Sequence, residues 1–376
     1  MKLHLWCSVL LVMMWVCGCT STGHVEVKQD KQADRLFHQD PRWLGGDAAL
    51  TVPLGNERVL WLFGDSLVVA SDEQDRGDAG MVRNSIAVQE GLNPREAEMW
   101  FVWQEMAGEK PKSFFVRDED GEAKWYWPGG GYRVPDGPLI VFLLSMGRTG
   151  KGGMWGFEVE GYAVAVIANP DDKPAKWEVV IHDGGGVETG YCPASAVVVQ
   201  GDYLIGLAIR PKGKHAGALV RYQIEDLIAG RLDRAAWWMG DERGWIAESE
   251  LHREDPLMVM DDASPENSLH YDAKAKQYVH VATYGFGRTS FGVRTAPKVT
   301  GPWSKPQMIY TPEEGGEKNI FVYAGKAHPE LVTDEADDVY LTYATNSFDF
   351  WELFNDEYKG WLYYPRFLIM RSNHQE

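Results

Sequence analysis

Two aspartates bracket the first strand pair foreseeable in this chain of 376 residues. Asp47 ends the run Trp43-Leu44-Gly45-Gly46-Asp47, just ahead of an apolar stretch, and Asp65 follows a second one, Val59-Leu60-Trp61-Leu62-Phe63-Gly64. Paired as a hairpin, the start of one stretch and the end of the other share a sheet edge, so the two carboxylates can approach. Like charges held close raise one pKa, and a site then owns both an acid and a base near neutral pH. Gly-Asp is also turn chemistry, with the carboxylate capping backbone N–H groups. It is the pair flanking one hairpin that points to catalysis. Arg83 and Asn84 open the next strand, and a guanidinium and an amide can orient sugar hydroxyls or hold a carboxylate ionised.

Further candidates sit where later strands begin or end: Glu188, Tyr191, Glu266, His328, Glu330 and Asn346. Glu266 and Glu188 compete for the part of second catalytic carboxylate. The stretch Tyr323-Ala324-Gly325-Lys326-Ala327-His328-Pro329-Glu330 gathers a Lys, a His and a Glu at one strand opening, but without the spacing of a metal motif, so no metal is expected. Gly129-Gly130-Gly131 lacks the helix and Lys-Ser/Thr pair of a phosphate loop, and no cofactor is expected. Trp43, Trp125, Trp127 and Tyr132 suit stacking on sugar faces, Trp127 most directly, although most Trp in such folds fill space between sheets.

Only a fold that returns the chain repeatedly to one place gathers residues so scattered. One pattern recurs five times, about every 60 to 80 residues: a polar or glycine-rich opening, an apolar strand, a turn, and a second strand dense in aromatics. The openings are Gly46-Asp47, Pro128-Gly129, Glu188, Pro265-Glu266 and His328-Pro329, and the second strands lie at 59–63, 139–143, 203–207, 278–282 and 339–343. An all-β, five-bladed β-propeller is the expected fold, with blades at roughly 38–95, 96–180, 185–250, 256–312 and 320–376. Its symmetry would bring the polar openings to a funnel at the mouth of a central channel. Asp136-Gly137 and Gly201-Asp202 are turn signals, residues 222–232 could form one short helix, and the apolar run 361–370 could close the ring.

The 16 Trp, 16 Tyr and 40 Gly suit short strands and tight turns, and the formal charge of −18 argues against a nucleic-acid partner. Leu3 to Val16 is too short for a stable spanning helix and ends in Val16-Cys17-Gly18-Cys19. That pattern resembles a bacterial lipobox. It implies a signal peptide over 1–18, lipidation of Cys19, a flexible tether over 19–36, a single domain over 37–376, and an exported, membrane-anchored protein. Cys192 alone then remains in the folded part, as a small buried core residue.

Several pieces together carry a wider resemblance: Gly46-Asp47, Trp61-Leu62-Phe63-Gly64-Asp65-Ser66, Arg83-Asn84-Ser85, Trp125-Tyr126-Trp127-Pro128-Gly129, Gly301-Pro302-Trp303-Ser304 and Lys326-Ala327-His328-Pro329-Glu330. They resemble the exported bacterial family known as uncharacterised domain family 4185. More distantly, they are similar to the five-bladed glycoside hydrolases of the arabinanase and β-xylosidase type. The resemblance touches all five repeats and implies a propeller, some relatives being endo-acting arabinofuranan hydrolases with acids at inner strand ends. Asp47 and Asp65 match the first-repeat positions, whereas Gly130 stands where an acid is expected after Trp-Pro-Gly. The implied activity is a cell-surface glycoside hydrolase acting on a furanose-containing, arabinan-like polysaccharide through two carboxylates. Asp47 would be nucleophile or base and Asp65 or Glu266 the acid, with His328 and Arg83 positioning the sugar. The alternative is a non-catalytic glycan-binding surface lipoprotein that uses the same funnel.

Overall fold

The computed structural model describes residues 25–105, 110–117, 123–151, 153, 155–186, 189–251 and 254–372. Nearly all regular structure is antiparallel sheet: four four-stranded sheets, one of six strands and a small one of three. The chain is all-β. The first large sheet holds Leu50–Gly55, Arg58–Phe63, Ser85–Glu90 and Glu98–Val102; the second holds Lys124–Arg133, Leu139–Arg148, Phe157–Ile167 and Val179–Asp183. The third begins with Cys192–Gln200, Tyr203–Ile209 and Gly217–Gln223, and the fourth comprises Asn267–Asp272, Gln277–Tyr284, Ser290–Ala296 and Gln307–Tyr310. The fifth holds Ile320–His328, Val339–Ser347 and Arg366–Ser372, with Val25–Gln29 on its outer edge. Asp136 and Gly201 both take left-handed backbone at φ 51° and 59°, as their turn signals required. The one α-helix among the described residues is Ile224–Ile228.

Strand periodicity explains how the sheets are arranged. Val59, Trp61 and Phe63 point into a core shared with Tyr340, Phe367 and Ile369 of the fifth sheet, while Leu60 and Leu62 point into one shared with Val141 and Leu143 of the second. Ile140 and Phe142, on the other face of that second sheet, pack with Leu204 and Tyr222 of the third. Leu207 and Leu219 pack with Leu269 and Tyr278 of the fourth, and Val281 and Phe291 pack with Leu341 and Tyr343 of the fifth. Each sheet is therefore buried on both faces, which is why its middle strands read as continuous apolar runs rather than alternating ones. The shared cores run one–two, two–three, three–four, four–five and back to five–one.

The first strands of successive sheets contact one another from the first sheet to the fifth. A Cβ on Gly130 would lie 3.1 Å from both Cα of Ala196 and N of Val197, and one on Gly131 would lie 2.8 Å from Cγ2 of Val52. Gly130 thus sits where first strands of adjacent sheets approach so closely that a side chain would require the Ala196–Val197 backbone to give way. The acid expected there would have to displace the backbone of the neighbouring sheet. Gly130→Asp should lower stability by about 3 kcal/mol or more, read as a fall in denaturation midpoint.

Three boundaries differ from the sequence reading. The opening strand of the fifth sheet is Ile320–His328, so His328 ends that strand instead of preceding it. Glu98–Val102 is the outer strand of the first sheet and not the start of the second. Residues expected in a tether also carry structure: Val25–Gln29 pairs with Arg366–Ser372, and Ala33 and Leu36 are buried. The N-terminal strand lies outside the C-terminal strand Arg366–Ser372, at the outer edge of the fifth sheet, beyond the final apolar run expected there. Cys19 and Glu188 lie outside the described residues.

Candidate active site

The small sheet of Trp43–Gly46, Ser66–Val68 and Gly80–Val82 carries the two aspartates just beyond its paired strands, where Gly46 faces Ser66. The Asp47 N–H donates to the Asp65 carbonyl at 3.3 Å and the Gly64 N–H to the Asp47 carbonyl at 3.1 Å, so the backbone itself sets the two residues side by side. A Cβ on Gly64 would fall 2.3 Å from Oδ1 of Asp47, so any other residue there would displace that carboxylate. Asp65 is held at both oxygens: Arg83 Nη1 donates to Oδ2 at 3.0 Å and Trp127 Nε1 to Oδ1 at 2.8 Å. Arg83 in turn lies over the ring of Trp125 at 4.6 Å. The Tyr323 hydroxyl donates to Oδ2 of Asp47 at 2.7 Å, and Asn346 Nδ2 donates to that hydroxyl at 3.5 Å. The Tyr363 hydroxyl donates to the Asp65 carbonyl at 2.9 Å. Glu266 immediately precedes the first strand of the fourth sheet and lies within the electrostatic reach of Asp47.

Three half-buried carboxylates, two from one hairpin and one from the fourth sheet, therefore share one region. Burial, then the neighbouring Glu266 and Asp65, push the Asp47 carboxyl well above the usual range, against the hydrogen bond from Tyr323 and the charge of Lys326. Burial also raises Asp65, opposed by the Arg83 charge and the Trp127 hydrogen bond. Glu266 is raised by burial and restrained by Lys326. Lys326 is 1% exposed and its ammonium donates to the carbonyls of Ala48 and Ala324. Both alanines have left-handed backbone, at φ 64° and 58°, a conformation unfavourable for a residue with a Cβ. Burial brings the lysine pKa down to about 8.

Such an arrangement can hold a proton and an anion together. The donors on both oxygens of Asp65 favour its ionised form, whereas the two neighbouring carboxylates favour a proton on Asp47. Among the described residues no group of three or more His, Cys, Asp and Glu is placed to hold a metal ion.

Other predicted residues lie elsewhere. Asn84 is wholly buried: its Nδ2 donates to the carbonyls of Phe115 and Tyr126, and its Oδ1 accepts from the Phe115 N–H. It clamps a loop to a strand and offers nothing to a substrate. Tyr191 is buried in the core between the second and third sheets, with Arg210 over its ring. His328 is buried between Thr51 at 2.7 Å and Thr342 at 2.6 Å, and burial lowers its pKa, leaving a neutral imidazole that joins the fifth sheet to the first. Glu330 keeps company with His328 at 3.7 Å and is lowered by it despite its own burial. Cys192 is buried, with its thiol pushed up to about 12, and is inert. Tyr323, Lys326 and Tyr363 are the site residues that sequence reasoning did not select.

A model of the family described as "Domain of unknown function (DUF5005)" matches residues 30–372. The chain belongs to that family. This overturns the resemblance to family 4185, which rested on short motifs. No curated protein matches the sequence. Among solved structures, a protein of Bacteroides ovatus provisionally described as a hydrolase superposes with a TM-score of 0.74 at 16% identity, covering 94% of this chain and 92% of the other. The catalytic domain of the Coprinopsis cinerea GH62 α-L-arabinofuranosidase gives 0.48 at 11% identity, covering 88% and 92%. The Podospora anserina α-L-arabinofuranosidase crystallised with cellotriose gives 0.46 at 11% identity, covering 88% and 91%. The first of these shows a shared fold.

Proposed function

We propose that this DUF5005 member is a glycoside hydrolase whose five large sheets are the blades of a five-bladed β-propeller, with the carboxylate cluster at the mouth of its axis. The observation that carries the reading is that Asp47 is set beside Asp65 by the backbone of one hairpin and also lies in the electric field of Glu266, which comes from the fourth sheet. Glycosidic cleavage needs one carboxyl to protonate the leaving oxygen and another to attack or to activate water. Glu266, which no hydrogen bond fixes among the described residues, is the acid. Asp47, aligned by Tyr323, is the nucleophile or base. Asp65, pinned by Arg83 and Trp127, keeps a constant negative charge that favours a proton on its neighbours and stabilises developing positive charge on the sugar. The substrate class in this reading is a neutral, furanose-containing polysaccharide of the arabinan kind, and lipid on Cys19 would hold the enzyme at a membrane surface.

The test is to incubate the purified protein with arabinan, arabinoxylan and xylan and to measure new reducing ends beside an Asp47→Asn variant. Release by the parent protein and its loss in the variant are expected. Equal release by both would remove Asp47 from the chemistry. Binding to these glycans without any release would instead make the protein a glycan-binding module.

A further inference from the structure

Several large aromatic side chains stand in solvent beside the carboxylates. Trp155 is 58% exposed, Phe286 74% and Phe348 43%. Leaving such rings in water forgoes about 2 kcal/mol of burial apiece, and clustered exposed apolar surface marks a binding site more often than an accident. These rings come from three different sheets, yet they touch. Trp155, between the second and third strands of the second sheet, lies 6.3 Å from Phe286 of the fourth and 6.3 Å from Phe321 of the fifth. Phe348 lies 5.4 Å from Phe286 and 4.7 Å from Phe321.

The arc is continuous with the catalytic groups at both ends. Phe321 is 5.3 Å from Tyr323, whose hydroxyl holds Asp47. In the other direction Trp155 is 6.3 Å from Phe157, Phe157 is 4.8 Å from Trp127, and Trp127 holds Asp65. The exposed rings meet at 54° and 51°, so their faces are not used up on one another. Phe286 is carried at a hairpin tip between Gly285 and Gly287, at φ 106° and 80°, a backbone that presents the ring outward.

We propose that the arc of Trp155, Phe286 and Phe348, seated on the buried ring of Phe321, is a second subsite, which binds the outer sugar units of a neutral glycan, beyond the first two units held at the carboxylates. The inference rests on the hydrolase reading. The occupant is carbohydrate because the rings lead unbroken to Tyr323 and Trp127 and offer flat apolar faces that match the C–H face of a sugar ring. It is neutral because the rings bring no cation, the carboxylates lie beside them, and the chain's formal charge is −18. A uronic-acid chain would be repelled.

The experiment titrates the Asp47→Asn variant, which holds ligand without consuming it, with arabinobiose and arabinohexaose in a calorimeter. The hexamer should bind about tenfold or more tightly than the dimer. Trp155→Ala with Phe286→Ala should remove that advantage while leaving dimer affinity and the melting temperature in place, and Phe286→Trp should restore it. If the double variant keeps the length advantage, or if none exists while the parent protein still cleaves arabinan, the subsite is refuted and the hydrolase reading stands. If polygalacturonate binds as well as the neutral hexamer, the neutral-ligand assignment is refuted. If the protein neither cleaves nor binds any neutral glycan, the hydrolase reading fails and takes the subsite with it.

Discussion

Glu266→Gln is expected to slow cleavage of unactivated glycosidic bonds by about 10³-fold while sparing aryl glycosides with acidic leaving groups to within about tenfold. The asymmetry follows from what a general acid does: a leaving group that departs unaided does not need the proton. Asp47→Asn should fall equally on both substrates, because displacement needs the nucleophile or activated water whatever the aglycone is. Asp65→Asn should give a third pattern. It removes the negative charge that Arg83 and Trp127 hold in place, so the guanidinium at 3.0 Å is left uncompensated beside the site and both carboxyl pKa values of the working pair fall. Its signature is a pH–rate profile moved to lower pH along with reduced turnover. Rates on arabinan and on an aryl arabinofuranoside, measured for all three variants, separate the roles. A Glu266→Gln enzyme equally impaired on both substrates would transfer the acid role to another residue.

Asp47 and Asp65 were legible because a Gly-Asp pair at each end of one hairpin is a local pattern. Glu266 was legible for a similar reason, since Pro265-Glu266 opens a repeat. Tyr323 and Lys326 escaped because the pairing of Ile320–His328 with Val339–Ser347 shifts register between Tyr323 and Lys326. A bulge breaks the two-residue alternation by which a strand is recognised, so the segment reads as polar loop and the next apolar residues are mistaken for the strand. Gly325 sits inside that irregularity, where a Cβ would lie 2.4 Å from Cγ2 of Thr283. Asn84 and His328 misled in the opposite direction. A polar side chain at a strand end is equally compatible with a site or with a buried clamp, and only its partners decide: backbone carbonyls for Asn84, hydroxyls for His328. The strand Val25–Gln29 was invisible for a third reason. Its five residues are mixed in character and its partner lies at the other end of the chain, so nothing local announces the pairing.

Lys326→Met should move the acidic limb of the pH–rate profile upward by about one unit or more. The ammonium is the cation that favours ionisation of both Asp47 and Glu266. Without it each carboxyl holds its proton to higher pH, and the base becomes available later in a titration. A second consequence separates this electrostatic role from simple packing. The folded lysine titrates at about 8 against an ordinary value of 10.5, so between those values the unfolded chain binds the proton that the folded one has released. Stability contributed at this position therefore rises as pH climbs from about 8 to 10.5, and below about 8 the full cost of the buried charge, about 3 kcal/mol, applies. The parent protein should gain on the Lys326→Met variant in thermal stability over that alkaline window, and Lys326→Arg, which cannot lose its proton, should lack the gain. Two alanines held in left-handed backbone to aim their carbonyls at this ammonium are the structural counterpart of that cost. A Met variant with an unmoved acidic limb and a parallel stability curve would make Lys326 a packing residue and leave the ionisation of the carboxylates to Arg83 and Tyr323.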